Sequence, residues 1–376
     1  MKTGTLTFHA PNNNGSFLQA YALQQVLLRE YGLQNEIIDF VSEQQARQYS
    51  VFRTPKSVGD LGRNAISLLH HKDLVKRANR FESMRKKHLG MTNRVTTEQE
   101  VLELAETYDL MICGSDQIWN TTARDFSPAY FLDGAATKKI SYAVSSGSHL
   151  PNGHDEQFSG AKEFSAVSVR EPELKEYLAQ HGYAEAEVVC DPTLLLEQVD
   201  YYPLYNRFPL IHGKYILLYT INYDDEALRL TMELSKRLNL PVYAPFTGYS
   251  AVKCARYGIK VLYGIAPDGF LNLMHHAAYV VSNSFHGVAF SIIFEKHFYR
   301  PGRIDNNGCF IRDDRIDNLL DELHLDSQRV YDHGGLIFNK NAPDYNPTSN
   351  TKIALQNLRA RSMAFLDRAL EEETSL

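Results

Sequence analysis

From residue 215 onward the chain alternates short apolar, β-rich runs with helical patterns, and that alternation admits few folds. Strands are read at residues 215–221, 242–245, 260–263 and 279–281, with helices at 226–237, 269–276 and 288–294. Strands joined through helices run parallel, and a parallel sheet needs helices on its faces. The first half repeats the scheme: a strand at 5–8, a polar loop at 9–16, a helix at 17–31 closed by Gly32, and a strand at 36–41. Further strands are read at 110–113, 139–145, 166–169 and 188–190. Residues 197–214 are rich in Tyr, Pro and Phe, lack periodicity, and read as the junction before the pattern restarts. The expected fold class is α/β, with two Rossmann-like domains facing across a cleft. The expected boundaries are an N-terminal domain at 1–200, a linker at 201–214, a C-terminal domain at 215–340, and a C-terminal helix at 341–376 packing back on the first domain.

Ligands of open α/β sheets bind outside the carboxyl ends of the strands, so the loops there hold the candidate functional residues. The stretch YVVSNSFHGVAFSIIF at 279–294 reads as a strand, a tight polar turn and a helix start. His286 stands in that turn, beside the amides of a helix N-terminus. It reads equally as a reactive imidazole or as a packed turn residue. The loop GSDQIWN at 114–120 gathers Asp116, Gln117, Trp119 (the only tryptophan) and Asn120. Carboxylates and amides suit sugar hydroxyls, and an aromatic face suits a sugar ring; the alternative is an indole anchoring the loop to the core. Asn14 and Gly15 lie in the loop after the first strand, where a plain turn explains them as well. Arg170 and Glu171 close the strand at 166–169, and Asp191 closes that at 188–190, so several strands end in polar groups that could converge.

Charge narrows the partners. Lys and Arg number 39 against 45 Asp and Glu, a net charge of −6, which argues against nucleic acid. The exception is the segment 53–94, with 11 basic and 3 acidic residues. Its helical face of Leu74, Ala78, Phe81 and Met84 or Arg85, ringed by Lys76, Arg77, Arg80, Lys86 and Lys87, reads either as a helix packed on the domain or as one lying on an anionic membrane. Four cysteines form no CxxC pair, which fits a reducing compartment without a disulfide framework or structural zinc. The apolar run at the N-terminus is too short for a signal peptide, and no stretch approaches the ~20 apolar residues a spanning helix needs.

Six phrases, in order along most of the chain, resemble the polysaccharide pyruvyl transferase family. They are TLTFH with NNNGSFLQAYALQ, CGSDQIWN, ISYAVSSGS, SVRE with LKEYL, VVCDPTLLL, and SNSFHGVAFSIIFEK. The resemblance implies a GT-B-like fold and an enzyme that takes pyruvate from phosphoenolpyruvate. The product would be a pyruvate ketal across two hydroxyls of a sugar, in the assembly of exopolysaccharide, capsule or cell-wall polymer. It implies that His286 is a general acid toward C3 of the donor and that Arg170 grips the donor's anionic group. Ser284, Gly287, Lys296, Arg312 and Arg315, with Arg300, are further candidates on the donor side. Asn14, Gly15, Asp116, Trp119 and Asn120 are those for the acceptor. No metal or cofactor beyond the donor substrate is expected, because fixed cations can neutralise it. The expected partners are phosphoenolpyruvate and a sugar or lipid-linked oligosaccharide. The expected location is cytoplasmic, with a peripheral contact on the inner membrane face. Two other classes share the pattern: a nucleotide-sugar glycosyltransferase of GT-B type, and a non-catalytic carbohydrate-binding protein.

Overall fold

The computed structural model describes residues 1–50, 67–147, 150, 153, 155–221, 223, 225–246, 250–302, 311–330 and 349–374. Residues 53–66 of the basic segment, Ser148, Cys309 and residues 341–348 lie outside them. The chain divides into two compact units. One comprises Met1–Ser50, Ser83–Leu196 and Gln356–Leu376, and the other Val51–Glu82 and Glu197–Leu355. Both are Rossmann-like α/β units built on parallel sheets.

In the first unit the strands β1 (Lys2–Leu6), β2 (Gln34–Ile37), β3 (Leu110–Cys113) and β4 (Lys139–Ser141) pair in parallel in the order β2-β1-β3-β4. A short parallel pair, β5 (Ser168–Val169) and β6 (Glu187–Val188), follows β4 through the single bridges Ile140–Ala166 and Val144–Val169. Helix α1 (Asn14–Arg29) starts three residues earlier than the periodicity predicts, because Asn13 caps it, its side chain accepting from the Gly15 amide at 2.9 Å. The unit also holds α2 (Glu43–Tyr49), the part of α3 (His71–His88) from Ser83 on, α4 (Glu98–Ala105), α5 (Pro172–Gln180) and α6 (Pro192–Leu195).

The second unit has β7 (Ile216–Tyr219), β8 (Val242–Pro245), β9 (Lys260–Leu262), β10 (Tyr279–Ser282), β11 (His297–Pro301) and β12 (Arg329–Val330). They form one parallel sheet in the order β12-β11-β10-β7-β8-β9. Its helices are α7 (Asp225–Leu238), α8 (Ser250–Arg256), α9 (Pro267–His276), α10 (Phe285–Ile293) and α11 (Asp314–Glu322). The nine residues of α10 are all buried, as befits a helix apolar on every side. A last helix, α12 (Ser349–Thr374), brings its residues from Gln356 into the first unit. There Ser362 accepts from the Cys190 amide at 2.9 Å, and Arg359 donates to the carbonyls of Leu194 and Leu196.

Helix α3 carries most of the described part of the basic segment, and three of its cations are spent inside the protein, Arg85 donating to the Ala10 carbonyl at 3.1 Å. Arg80 pairs with Asp268 at 2.5 Å and donates to the Gly264 carbonyl, and Arg77 donates to that of Ile265. Phe81 of the same helix is fully buried. This part of the segment is a packed helix. No helix among the described residues is long and apolar enough to cross a membrane.

Candidate functional site

Strand order places both candidate constellations. In the first sheet β1 is followed by β2 on one side and by β3 on the other, so the connections reverse between β1 and β3. In the second the reversal falls between β7 and β10. Loops leaving adjacent strands at such a point part in opposite directions and open a crevice at the carboxyl edge.

In the first unit, the loops after β1, β3, β4, β5 and β6 meet at that edge. Gly114 ends β3 at φ 122°, and a Cβ there would lie 2.1 Å from the Tyr142 carbonyl oxygen, so only glycine passes. Asp116 follows at φ 75°, a left-handed conformation that a short carboxylate tolerates by bonding the next amide; Gln117 N–H donates to its Oδ1 at 2.9 Å. Its Oδ2 accepts from the Ser16 hydroxyl at 2.8 Å, which joins the β3 loop to the start of α1. Arg170, just past β5, sends Nε to Ser115 Oγ at 3.0 Å, while its Nη2 lies 2.9 Å from Asp191 Oδ2 and 3.7 Å from Asp116 Oδ1. Asp191 caps α6, its Oδ1 accepting from the Thr193 amide and hydroxyl. The Arg170 and Asp191 side chains are 4% and 0% exposed, which rules out a surface ion pair for Arg170. Glu171 takes the Ser145 hydroxyl at 2.7 Å.

The remaining acceptor candidates are placed differently from expectation. Trp119 is fully buried, stacked on Phe131 at 4.8 Å and met edge-on by Phe158 and Phe164. Its indole cannot carry a sugar ring; it anchors the loop to the core. Asn120 closes its own turn, donating to Gln117 and accepting from the Thr122 amide and hydroxyl. Gly15 and Asn14 are buried in the first turn of α1, the Gly15 amide taken by the cap. What the structure adds is Ser16, Ser115 and Asp191. Asp191 and Arg170 were each visible as polar strand ends 21 positions apart, but their pairing was not.

In the second unit the helix starts at Phe285, three residues before the expected start, so His286 sits in the first turn of α10 rather than in a loop. It is 9% exposed, its ring edge-on to Phe285 at 5.2 Å. The turn before it is braced. Ser282 Oγ donates to the Tyr219 carbonyl at 2.6 Å and accepts from the Ser284 amide at 3.1 Å, and Asn283 Oδ1 accepts from the Ile221 amide at 3.0 Å. These bonds lock the end of β10 to the end of β7. Ser284 is the residue before the helix, without a side-chain cap. A Cβ on Gly287 would meet Ser282 Oγ at 2.0 Å and the Tyr219 ring at 2.9 Å. Gly287 therefore serves close packing of helix on strand. Gly287→Ala is expected to cost about 1–3 kcal/mol of stability through overpacking, read as a lowered Tm. An unchanged melt would mean the turn relaxes freely.

The downstream cations are occupied. Lys296 donates to the His275 carbonyl at the end of α9, and burial lowers its pKa. Arg300 bonds Asp317 at 3.0 Å, Arg312 bonds Asp321 at 2.8 Å, and Arg315 holds Asp313 with two donors. As donor-side cations the three arginines would have to exchange these partners for a ligand anion, as Arg170 would. Each aspartate is the nearer acceptor, so a ligand anion would have to displace it. His275 bonds Tyr205 and Gln198, and His276 donates to the Arg207 carbonyl, so both are structural.

The family model described as polysaccharide pyruvyl transferase matches residues 13–300. No curated protein matches the chain. Among solved structures, it is similar to the UDP-GlcNAc 2-epimerase of Methanocaldococcus jannaschii, with a TM-score of 0.49 and 12% identity over 96% of this chain and 100% of that one. A putative UDP-N-acetylglucosamine 2-epimerase from Listeria monocytogenes gives 0.49 and 12% over 99% and 89%. The E. coli heptosyltransferase WaaC with ADP-2-deoxy-2-fluoro heptose gives 0.42 and 11% over 96% and 99%.

Proposed function

The chain belongs to the polysaccharide pyruvyl transferase family, and on that premise we propose that it moves pyruvate from phosphoenolpyruvate onto two hydroxyls of a sugar, closing a ketal. The observation that carries this reading is His286 in the first turn of α10, at the reversal point of the second sheet. The donor's enol carbon C3 needs a proton before C2 becomes electrophilic, and an imidazolium gives one near neutral pH. The C2–C3 π pair takes the proton. A sugar hydroxyl oxygen then bonds C2 and loses its own proton, the bond from C2 to the phosphate oxygen breaks, and the second hydroxyl oxygen bonds C2 and closes the ring as its proton passes to the released phosphate. The amides at the start of α10 suit an anionic donor. Arg170 is the proposed grip on the donor's phosphate or carboxylate, and Asp116 the group that orients an acceptor hydroxyl. The pathway is polysaccharide assembly at the cell envelope, reached from the cytoplasmic side.

The test incubates the full chain with phosphoenolpyruvate and a panel of pyranosides and lipid-linked oligosaccharides. Acceptor-dependent phosphate release with a ketal mass gain is the expected result. Transfer of a sugar from a nucleotide sugar, with phosphoenolpyruvate unused, would overturn it.

A further inference from the structure

We infer that the loop at 206–214 is an interfacial anchor that seats the chain on an anionic lipid bilayer. Phe208 and Leu210 stand 81% and 55% exposed, an unusual state for large apolar side chains so close together. The loop is held in that pose. Asn272, itself buried, donates to the carbonyls of Asn206 and Phe208 at 2.6 and 2.8 Å and accepts from the Leu210 amide at 3.0 Å. Asn206 accepts from the Phe208 amide at 3.0 Å, and His276 donates to the Arg207 carbonyl at 2.8 Å. With its backbone bonded at these points and Pro209 fixing one φ, the loop cannot turn its apolar tip inward.

Charge selects the occupant. Arg207, His212 and Lys214 are exposed around the tip, and residues 206–214 contain no Asp or Glu, in a chain of net charge −6. A protein partner needs roughly 800 Å² from each side, far more than two side chains supply. A lipid interface needs only a few inserted apolar groups with cations at headgroup level. The loop shares no residue with the described part of the basic segment, whose Arg77 and Arg80 are bound internally. Its binding is read without turnover, so it stands or falls apart from the proposed reaction.

The experiment is co-sedimentation of the full chain with phosphatidylcholine vesicles, with and without phosphatidylglycerol. Binding is expected to the mixed vesicles and to weaken with salt. Phe208→Ser with Leu210→Ser should lower the partition coefficient at least about tenfold. Arg207→Glu with Lys214→Glu should do the same and flatten the salt dependence. Melts on both variants check the fold, which exposed positions should leave intact. No sedimentation at low salt, or loop variants that bind like the parent while Lys86→Glu with Lys87→Glu does not, would overturn the inference. So would a concentration-dependent dimer that Phe208→Ser disperses, since a second copy would then be the occupant.

Discussion

His286→Gln is expected to lower kcat with phosphoenolpyruvate by about 10²–10⁴, the usual worth of a general acid, or on the order of 3–5 kcal/mol of barrier. Glutamine keeps a planar hydrogen-bonding group of similar reach and removes the transferable proton. The fold should survive, because the braces at Ser282, Asn283 and Gly287 do not pass through the imidazole. Donor KM should change little, since the loss falls on a bond to hydrogen formed only in the transition state. A folded variant within about threefold of the parent kcat, with chemistry rate-limiting, would make His286 a packing residue of the first turn.

Arg170→Ala is the second large effect, and here stability and function must be separated. Removing the guanidinium leaves Asp191 as a buried charge without its cation, which typically costs about 3–5 kcal/mol. A low Tm alone therefore says nothing about the donor. Arg170→Met combined with Asp191→Asn removes both charges, and replacing a buried pair together is far milder than halving it. The double variant should recover most of the lost Tm and still show a donor KM raised by at least about tenfold, the worth of a charge-assisted bond. Arg170→Lys should fall between, because an ammonium cannot reach Ser115, Asp191 and Asp116 with one fork. A stable double variant that uses phosphoenolpyruvate normally would leave Arg170 as the clamp that holds Asp116 and Asp191. The formal charges of Arg170, Asp116 and Asp191 sum to −1, so the donor must compete with two carboxylates for this guanidinium.

Local pattern made most of the fold legible. The alternation of apolar runs and helical periods is a property of neighbouring residues, so the parallel sheets of both halves could be read before any contact was known. Element ends were less legible. Both α1 and α10 begin three residues early, because a cap at Asn13 and close packing at Gly287 set the starts, not the first apolar residue. Strands β11 and β12 escaped notice: β11 breaks its apolar residues with His297 and Arg300, and β12 is two residues long.

For the site, the chain by itself determined the family and the candidates: an imidazole after a β-rich run, an arginine at a strand end, and phrases specific enough to place the family. Only the tertiary structure decided which polar residues are available. It buried Trp119 in an aromatic cluster, turned Asn120 on its own loop, and paired Arg300, Arg312 and Arg315 with aspartates. It also brought Ser16, Asp116, Arg170 and Asp191, spread over 175 positions, to one sheet edge. The physical reason is range. Periodicity and capping act over a few residues, whereas the partner of a buried charge is chosen by strand order, which no local stretch of sequence contains.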